Sequence, residues 1–525
     1  MYENYNNIYN ILVQKTKENP DKEFIISLFE TNEDVLTYRD FLNRVNSTKE
    51  YFQKIGLKKN DRINIIIQNS AEFLISYVAA LSIGIIVCPI NYSLTALEMS
   101  YIINDSGSKA VICEYEYYSL LSQSDCLKNI HKLMIISKNQ NIKNNFLKII
   151  QDSNPTNILN YSKVIRKDEA VIIYTSGTSG NPKGVVLTHE NLISDAEAIV
   201  KWFNLDTNSR ALCILPLFHN NGQIVTFLAP LLSGGSSIMI KGNVALIVFW
   251  EIVRKYNATY SSVIPTMLSV LIGYHRKRQD DTMKFIICGG ALLPQRVQQE
   301  FERTYRIPII EGYGLTETTS FSSFNPRNIE ERKIGSIGKE LPINQMKIID
   351  EKMNELPTGK IGEIAIKGLN VFKKYNKLLE RTEQAFSDGW FHSGDYGYKD
   401  EDGFFYFKNR KDYLIIKGGE NIYPREIENV FYNYPNVIEC IVIGIPHKLW
   451  GEDIAVFIER DNNGLSKKDI LNFCNTKLAK YKIPSKIFFF DELESMKKIP
   501  KGPTNKILRQ KIIEYYNNKI VKKGE

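Results

Sequence analysis

Residues 170–184 read AVIIYTSGTSGNPKG, an apolar strand that runs into a loop of hydroxyl and glycine residues. Glycine lets backbone N–H groups approach phosphate oxygens closely, hydroxyl groups add donors, and Lys183 supplies a positive charge. The loop is not of the Walker type, because Lys183 is preceded by Pro182 and followed by Gly184. A surface loop rich in serine and glycine would not explain so ordered a series after an apolar strand. The segment therefore predicts a phosphate-binding loop.

Segments typical of helices and of strands alternate through most of the first four hundred residues. Ala71 to Ser82 is typical of a helix, and an apolar strand from Ile85 to Cys88 follows it. Further apolar strands are expected at Ala110 to Cys113, Ala170 to Tyr174, Ala211 to Leu215, Ser236 to Ile240 and Phe285 to Cys288. Short strands buried on both faces and separated by helices predict an α/β fold of parallel sheets flanked by helices.

The remaining chain divides into two further regions. Turns become frequent between about residues 334 and 407, which predicts a small, mostly antiparallel, β-barrel-like unit. An α+β pattern follows, with helices at Pro424 to Tyr432 and Lys467 to Leu478 and strands at Cys440 to Ile443 and Ile454 to Ile458. We therefore expect an N-terminal domain over residues 1–410 and a small, mobile C-terminal domain over residues 411–525.

Composition excludes several classes of protein. A chain of 525 residues with 43% hydrophobic and 24% charged residues is typical of a globular protein with two to four folding units. The N-terminus lacks the pattern of a secretory signal. The most apolar stretch, Phe73 to Ile90, contains Gly84 and Pro89, so it predicts a buried helix and strand instead of a membrane span. Seven dispersed cysteines without CxxC spacing favour a reducing cytoplasm over structural zinc.

The net charge of +8 is unevenly distributed. The segment from Ser466 to Glu525 carries +9, and the rest of the chain carries about −1. A basic segment of this kind could meet a phosphorylated ligand or an acidic partner, although a solvated lysine-rich surface explains the charge equally well. It lacks the interleaved arginine and aromatic residues of strand-binding surfaces, so nucleic acid is not expected as a partner.

The chain resembles the adenylate-forming superfamily of acyl-CoA synthetases, carrier-protein-loading adenylation domains and beetle luciferases. The resemblance extends from Thr37 to Lys506. The loop at residues 174–184 is the first motif that supports it, and further motifs occur in the family's order. These motifs are EGYGLTETT at 311–319, WFHSGD at 390–395, NRKD at 409–412, KGGENIYP at 417–424 and IPKGPTNKILR at 499–509.

The resemblance implies a nucleotide site. In the family, the residue at Tyr313 lies along adenine and that at Asp395 holds the ribose, while the residue at Glu317 helps to hold Mg²⁺. The residues that match the ATP- and AMP-binding positions are Thr175, Ser176, Gly177, Thr178, Ser179, Gly180, Lys183, Gly290, Ala291, Glu311, Gly312, Tyr313, Gly314, Thr316, Asp395, Arg410 and Lys506. The residues that match catalytic positions are Lys506, Thr175, His219 and Glu317.

The resemblance also implies an acyl pocket, a thiol tunnel and a hinge at Asp412. The acyl pocket matches Phe218, His219, Asn220, Gly289 and Gly314, and the thiol tunnel matches Gly418, Gly419, Glu420 and Asn421. A structural histidine is the alternative for His219, and an ordinary glycine turn before a helix is the alternative for Gly418 and Gly419. Asn505 stands where the family has glycine, although asparagine tolerates left-handed backbone geometry.

The implied reaction uses ATP, Mg²⁺ and coenzyme A. A carboxylic acid becomes an acyl adenylate with release of pyrophosphate, and the acyl group then passes to the thiol. One alternative enzyme loads an acyl carrier protein, and another reading, to which Asn505 points, is a nucleotide-binding homologue without turnover. Luciferase-like oxygenase chemistry has no support in the sequence. The expected pocket contains no Arg or Lys for a second carboxylate, so we expect a monocarboxylate of medium, long or aryl type, and a homodimer is compatible with the sequence.

Overall fold

The computed structural model describes most of the chain. The described residues are 5–28, 33–123, 127–128, 130, 132–137, 139, 145–151, 162–175, 182–241, 243–273, 282–291, 293–461, 465–502 and 507–520. Within these ranges no helix has both the length and the apolar character to cross a membrane.

The α-helices and β-strands are numbered in chain order. The helices are α1 (Ile8–Glu18), α2 (Tyr38–Lys54), α3 (Ala71–Ser82), α4 (Ala96–Ser106), α5 (Tyr115–Leu121), α6 (Phe146–Gln151), α7 (His189–Phe203), α8 (Asn220–Gln223), α9 (Ala229–Ser233), α10 (Phe249–Tyr256), α11 (Pro265–Gly273), α12 (Gln295–Tyr305), α13 (Leu379–Gln384), α14 (Pro424–Tyr432), α15 (Lys467–Lys477) and α16 (Arg509–Tyr515). The strands are β1 (Glu23–Leu28), β2 (Glu33–Thr37), β3 (Arg62–Ile66), β4 (Ile86–Pro89), β5 (Ala110–Glu114), β6 (Lys132–Ile136), β7 (Glu169–Thr175), β8 (Lys183–Thr188), β9 (Arg210–Cys213), β10 (Ser236–Ile240), β11 (Tyr260–Val263), β12 (Phe285–Cys288), β13 (Ile309–Tyr313), β14 (Ser323–Phe324), β15 (Lys339–Glu340), β16 (Asn344–Ile349), β17 (Gly362–Gly368), β18 (Lys374–Tyr375), β19 (Phe386–Ser387), β20 (Trp390–Lys399), β21 (Phe405–Arg410), β22 (Ile415–Lys417), β23 (Glu420–Ile422), β24 (Val437–His447), β25 (Gly451–Arg460) and β26 (Lys486–Phe489).

Two large sheets organise the first part of the chain. One has the order β15-β14-β13-β12-β11-β9-β10-β1-β2, and the other has the order β18-β8-β7-β4-β3-β5-β6. In the first sheet, all neighbours from β13 through β1 in this order are parallel. In the second sheet, all neighbours from β7 through β6 are parallel, and antiparallel strands lie at the edges of both sheets. The predicted α/β class with parallel sheets is confirmed.

Helix α3 joins the cores of the two sheets. All twelve of its residues are buried, and its side chains pack in one cluster with strands of both sheets. A helix that is apolar on every side belongs inside a protein core. The Phe73–Ile90 stretch is therefore a buried helix, a turn at Gly84 with φ +76°, and strand β4, as the sequence predicts.

Several predicted boundaries shift slightly. Strands β10 and β12 coincide with the prediction, whereas β9 ends at Cys213 and not at Leu215. The chain leaves the sheet there because the Leu215 carbonyl accepts a hydrogen bond from Asn69 Nδ2 (3.0 Å) instead of from a neighbouring strand. The six described cysteines are free and buried, which agrees with their expected packing roles.

Two smaller sheets follow. One is antiparallel and has the order β16-β17-β20-β19 with β21 beside β20, so it lies within the predicted β-rich region. The other has the order β23-β22-β25-β24 with β26 parallel to β25, and helices α14, α15 and α16 accompany it. The residue boundary at 410/411 stays a prediction.

Candidate functional site

Strands β7 and β8 hold both ends of the predicted phosphate loop. Thr175 ends β7 and pairs with Lys183, which begins β8. The Thr175 Oγ1 atom is buried and has no hydrogen-bond partner among the described residues, so it is available to a ligand. The predicted phosphate-binding residues Ser176, Gly177, Thr178, Ser179 and Gly180 lie outside the described residues.

Lys183 forms an ion pair with Glu317 at the end of this loop. Lys183 Nζ donates to Glu317 Oε1 (2.6 Å) and to the Tyr375 hydroxyl (2.9 Å), and Tyr375 donates to the same Glu317 oxygen (2.9 Å). The ammonium group also lies 4.2 Å from the centre of the Tyr375 ring. Three residues distant in sequence thus form one cluster, in which each polar group is hydrogen-bonded to the other two.

A turn at Thr316–Thr318 presents Glu317, and the segment before β18 supports that turn. Phe372 N donates to Glu317 O (2.8 Å), and Thr319 Oγ1 donates to Asn370 O (2.7 Å). Thr319 has φ +66°, which a β-branched residue rarely adopts and which costs about 1–3 kcal/mol. These contacts hold the strained turn in place.

A second cluster forms where β13, β20 and β21 meet. The Tyr313 hydroxyl donates to Asp395 Oδ2 (2.7 Å), and Arg410 Nε lies 3.2 Å from Asp395 Oδ1. Register explains the second contact, because Asp395 and Arg410 are opposite each other on β20 and β21. Burial, and then the Asp395 carboxylate, hold the pKa of Tyr313 above its usual range. The three residues expected at adenine and ribose are therefore neighbours.

Glu311 is a buried carboxyl group on the same strand as Tyr313. Its Oε2 atom has no hydrogen-bond partner among the described residues. Burial raises the pKa of Glu311 to about 7, against the opposing effect of the nearby Arg425 charge. Glu311 is thus about half protonated near pH 7.

Glycines allow close packing beside β12 and β13. A Cβ at Gly314 would lie 1.9 Å from the Ser320 carbonyl oxygen, and one at Gly312 would lie 2.4 Å from the Phe324 ring. Gly290 has φ +78° in the segment that leads from β12 to Ala291. The turn that carries Thr316 and Glu317 can fold back only because these positions have no side chain.

Phe218, His219 and Asn220 lie where the chain leaves β9 and enters α8. The Phe218 ring packs edge-on against Tyr92 (5.1 Å) and lies 4.6 Å from the His219 ring. His219 is the N-cap residue of α8, and Asn220 is 5% exposed. A π-helical turn, Ile224–Leu228, continues α8, and such turns are frequent at functional sites.

Gly418 and Gly419 form the two-residue turn between β22 and β23. Both have positive φ (+60° and +87°), which this tight hairpin requires and which glycine adopts without strain. Glu420 and Asn421 begin the returning strand and are exposed. The turn chemistry explains both glycines by itself, and the role in a thiol tunnel stays a prediction.

Of the predicted hinge residue, Asp412, and the predicted catalytic lysine, Lys506, only Asp412 is among the described residues. Asp412 is exposed in the short turn Lys411–Tyr413, as a hinge position requires, whereas Lys506 and Asn505 lie outside the described residues. Arg509, three residues after Lys506, stacks on the Tyr413 ring at 5.1 Å. The segment that carries Lys506 is therefore followed by a contact with the hinge turn.

Tyr375 and Asn370 were not predicted from the sequence. They lie in and before a two-residue edge strand, and a strand so short has no periodicity to identify it. The described ranges also contain no group of three or more His, Cys, Asp or Glu residues that could hold a metal ion. A magnesium ion held by one carboxylate and by phosphate oxygens needs no such group.

The chain belongs to the AMP-binding enzyme family, whose model matches residues 12–376. The model of the AMP-binding enzyme C-terminal domain matches residues 426–498. The chain is 30% identical to a 2-succinylbenzoate–CoA ligase of Bacillus licheniformis, over 96% of this chain and 99% of that protein. It is 35% identical to a sulfoacetate–CoA ligase of Cupriavidus necator, over 66% and 67% of the two chains.

The fold has a close counterpart among solved structures. ATP-bound MatB of Rhodopseudomonas palustris superimposes with a TM-score of 0.88 at 27% identity, over 98% of this chain and 99% of MatB. The adenylate-forming architecture expected from the motifs is thereby confirmed.

Proposed function

We propose that this chain is an AMP-forming acid–CoA ligase. It activates a carboxylic acid with ATP to an acyl adenylate, releases pyrophosphate and passes the acyl group to the thiol of coenzyme A. The observation that carries the proposal is the meeting of the Lys183–Glu317–Tyr375 cluster with the Tyr313–Asp395–Arg410 cluster. Burial opposes the charge of Arg410, but the nearby acidic groups, with Tyr313 and Glu317 among them, hold the pKa of Arg410 above its usual range, so members of both clusters lie close to one guanidinium group.

The chemistry requires positive charge where two anions meet. A free carboxylate has no competent leaving group, and its attack on the α-phosphorus of ATP brings two anions together. Lys183 and Lys506 are the cations proposed for this site, with Thr316 as a donor to the α-phosphate. Bound Mg²⁺ would neutralise phosphate charge, and Glu317 fits it as the single carboxylate ligand.

The C-terminal region acts in both steps. We assign residues 1–410 to the nucleotide-binding domain, 411–525 to the mobile domain and Asp412 to the hinge. Lys506 serves adenylation, and rotation about the hinge then presents Gly418 and Gly419 to the thiol. A cytoplasmic location and a homodimer are further predictions.

The proposal is tested by separating the two steps. We expect Lys506→Ala to lower acid-dependent exchange of pyrophosphate into ATP by about 10²–10³-fold, because it removes one preorganised donor. The variant should still make thioester from preformed acyl adenylate. Lys511→Ala, at an exposed position in the same segment, is the matched control. Equal loss in both steps would remove the assignment of Lys506.

A carrier protein is the alternative acceptor. The +9 charge of residues 466–525 suits an acidic carrier as well as a phosphorylated coenzyme. Incubation of acyl adenylate with coenzyme A or with acyl carrier protein, followed by thiol titration, distinguishes the two. Consumption of coenzyme A alone is the expected result.

A further inference from the structure

Three buried polar side chains near the start of α8 have atoms without hydrogen-bond partners among the described residues. These atoms are both amide atoms of Asn220, Oε1 of Gln223 and Oγ of Ser262. Asn220 is 5% exposed, and the other two residues are completely buried. An unpaired buried polar group lowers the stability of the fold, so such groups are rare and call for an explanation. A bound ligand that completes their hydrogen bonds explains all three.

The three side chains belong to one region. Asn220 and Gln223 are three residues apart on a helix and therefore lie on the same face. Ser262 shares one face of β11 with Tyr260, because side chains alternate along a strand. The Tyr260 hydroxyl donates to Val225 O (2.8 Å), two residues after Gln223. The sheet face that carries Ser262 therefore lies beneath the helical segment that carries the two amides.

An aromatic ring limits the room beside this region. A Cβ at Gly289 would lie 2.7 Å from the Phe321 ring, and one at Gly312 would lie 2.8 Å from it. The ring thus fills the space that these glycines leave at the ends of β12 and β13. Phe321 is 2% exposed, and its ring packs against the Phe324 ring with their centres 4.4 Å apart. A long alkyl chain would have to displace it.

The segments expected to line the acyl pocket supply no permanently charged side chain, and His219 is their one titratable group. The segments expected to line the acyl pocket contain no Lys, Arg, Asp or Glu; they are residues 218–221, 263–267, 289–291 and 314. Burying a charged group without a partner strongly disfavours binding. The group that meets Asn220, Gln223 and Ser262 is therefore polar and uncharged.

We infer that the acid activated here is short and carries an uncharged hydrogen-bonding group, such as a hydroxyl or a primary amide, which Asn220, Gln223 and Ser262 bind. The inference rests on the proposed function. The inferred acid still has the single carboxylate expected from the sequence, but it is short and polar instead of medium, long or aryl.

Pairs of acids with equal shape test the inference. 4-Hydroxybutanoate is compared with pentanoate, and succinamate with 4-methylpentanoate, with octanoate and benzoate as long and aryl acids. The readout is kcat/KM for acid-dependent pyrophosphate exchange into ATP. We expect each polar acid to exceed its alkyl counterpart by about 100-fold or more, because the alkyl acid leaves buried polar groups unpaired.

Two neighbouring serines give a matched pair of variants. Ser262→Ala should lower the preference for the polar acid several-fold without lowering the melting temperature, since its hydroxyl has no partner in the described chain. Ser261 faces the other side of β11 and donates to Leu212 O (2.8 Å). Ser261→Ala should therefore lower the melting temperature and leave the preference unchanged.

The outcomes are distinct. Exchange supported only by alkyl or aryl acids would overturn this inference and leave the proposed function standing. An unchanged preference in Ser262→Ala would also overturn it, and water would then account for the unpaired atoms. If none of the acids supported pyrophosphate exchange, both the proposed function and the inference would be overturned.

Discussion

At the scale of single residues, Tyr375 connects the two charged groups of the phosphate site. Its hydroxyl accepts from Lys183 and donates to Glu317, so it orients the carboxylate whether or not the lysine is present. Both hydrogen bonds to Glu317 reach Oε1 among the described residues, which leaves Oε2 for a metal ion. We regard Tyr375 as a positioning residue for Glu317.

Tyr375→Phe should weaken the response to Mg²⁺. A hydrogen bond to a charged group contributes about 1.5–3 kcal/mol, so the Mg²⁺ concentration for half-maximal exchange should rise about 10-fold or more. The KM for the acid should stay near the wild-type value. Tyr305→Phe, which loses a bond to Leu271 O (2.6 Å) away from the site, is the control. A parallel rise in the KM values for acid and ATP would indicate a merely structural role.

Glu311 should make stability depend on pH. Its pKa is about 7 in the folded chain and near 4.5 when unfolded, so between these values only the unfolded chain gives up the proton. Stability is fully present below about pH 4.5 and falls as pH rises towards 7. Melting temperatures between pH 4.5 and 8 should show wild type losing stability relative to Glu311→Gln. The exposed Glu351→Gln variant should follow wild type, and identical pH profiles for wild type and Glu311→Gln would refute the prediction.

At the scale of elements, β13 and the turn after it depend on the absence of side chains. Gly314 lies against the backbone of Ser320 and Phe321, so an added methyl group must displace main-chain atoms. Overpacking of this kind typically costs about 1–3 kcal/mol.

Gly314→Ala should therefore lower the melting temperature by several degrees and lower pyrophosphate exchange, because the Glu317 turn moves. Gly273→Ala at the end of α11 is the matched control, since its Cβ would meet no atom within 4 Å. That variant should melt within about 2 °C of wild type. Equal effects of the two substitutions would contradict the role given to close packing.

At the scale of the whole molecule, Arg425 links the two predicted domains. It begins the first turn of α14 and stacks on the ring of Phe407 in β21 at 4.6 Å. Its charge also acts on Glu311. Arg425 is partly buried, so the stack contributes more than the roughly 0.5–1 kcal/mol of an exposed pair, up to about 2 kcal/mol.

Arg425→Ala should free the hinge. A loss of about 1–2 kcal/mol raises amide hydrogen exchange over residues 408–416 by about 5-fold or more, which mass spectrometry can measure. Arg460→Ala removes a similar stack on Phe489 (3.8 Å) within the C-terminal sheet and should leave residues 408–416 unchanged. Unaltered exchange in Arg425→Ala would show that the stack does not restrain the hinge.

Local patterns in the sequence were sufficient for several of the elements and for the motifs. Helix α3 and strands β10 and β12 lie where the sequence predicts them, because apolar runs bounded by turn residues act over a few neighbouring positions. The motif residues Tyr313 and Asp395 were identified by resemblance, and the structure places them in contact. The family itself was identified from the same motifs.

Only the tertiary structure placed Tyr375 on Lys183 and left polar atoms of Asn220, Gln223 and Ser262 without partners among the described residues. Tyr375 is 192 residues from Lys183 in the chain, and their contact follows from the pairing of β18 with β8. Which buried polar groups find hydrogen-bond partners depends on which strands become neighbours and on which faces of the sheets they share. Short-range periodicity contains no record of that order, so the sequence alone determined several of the elements and the family, and the packing decided the chemistry of the pocket.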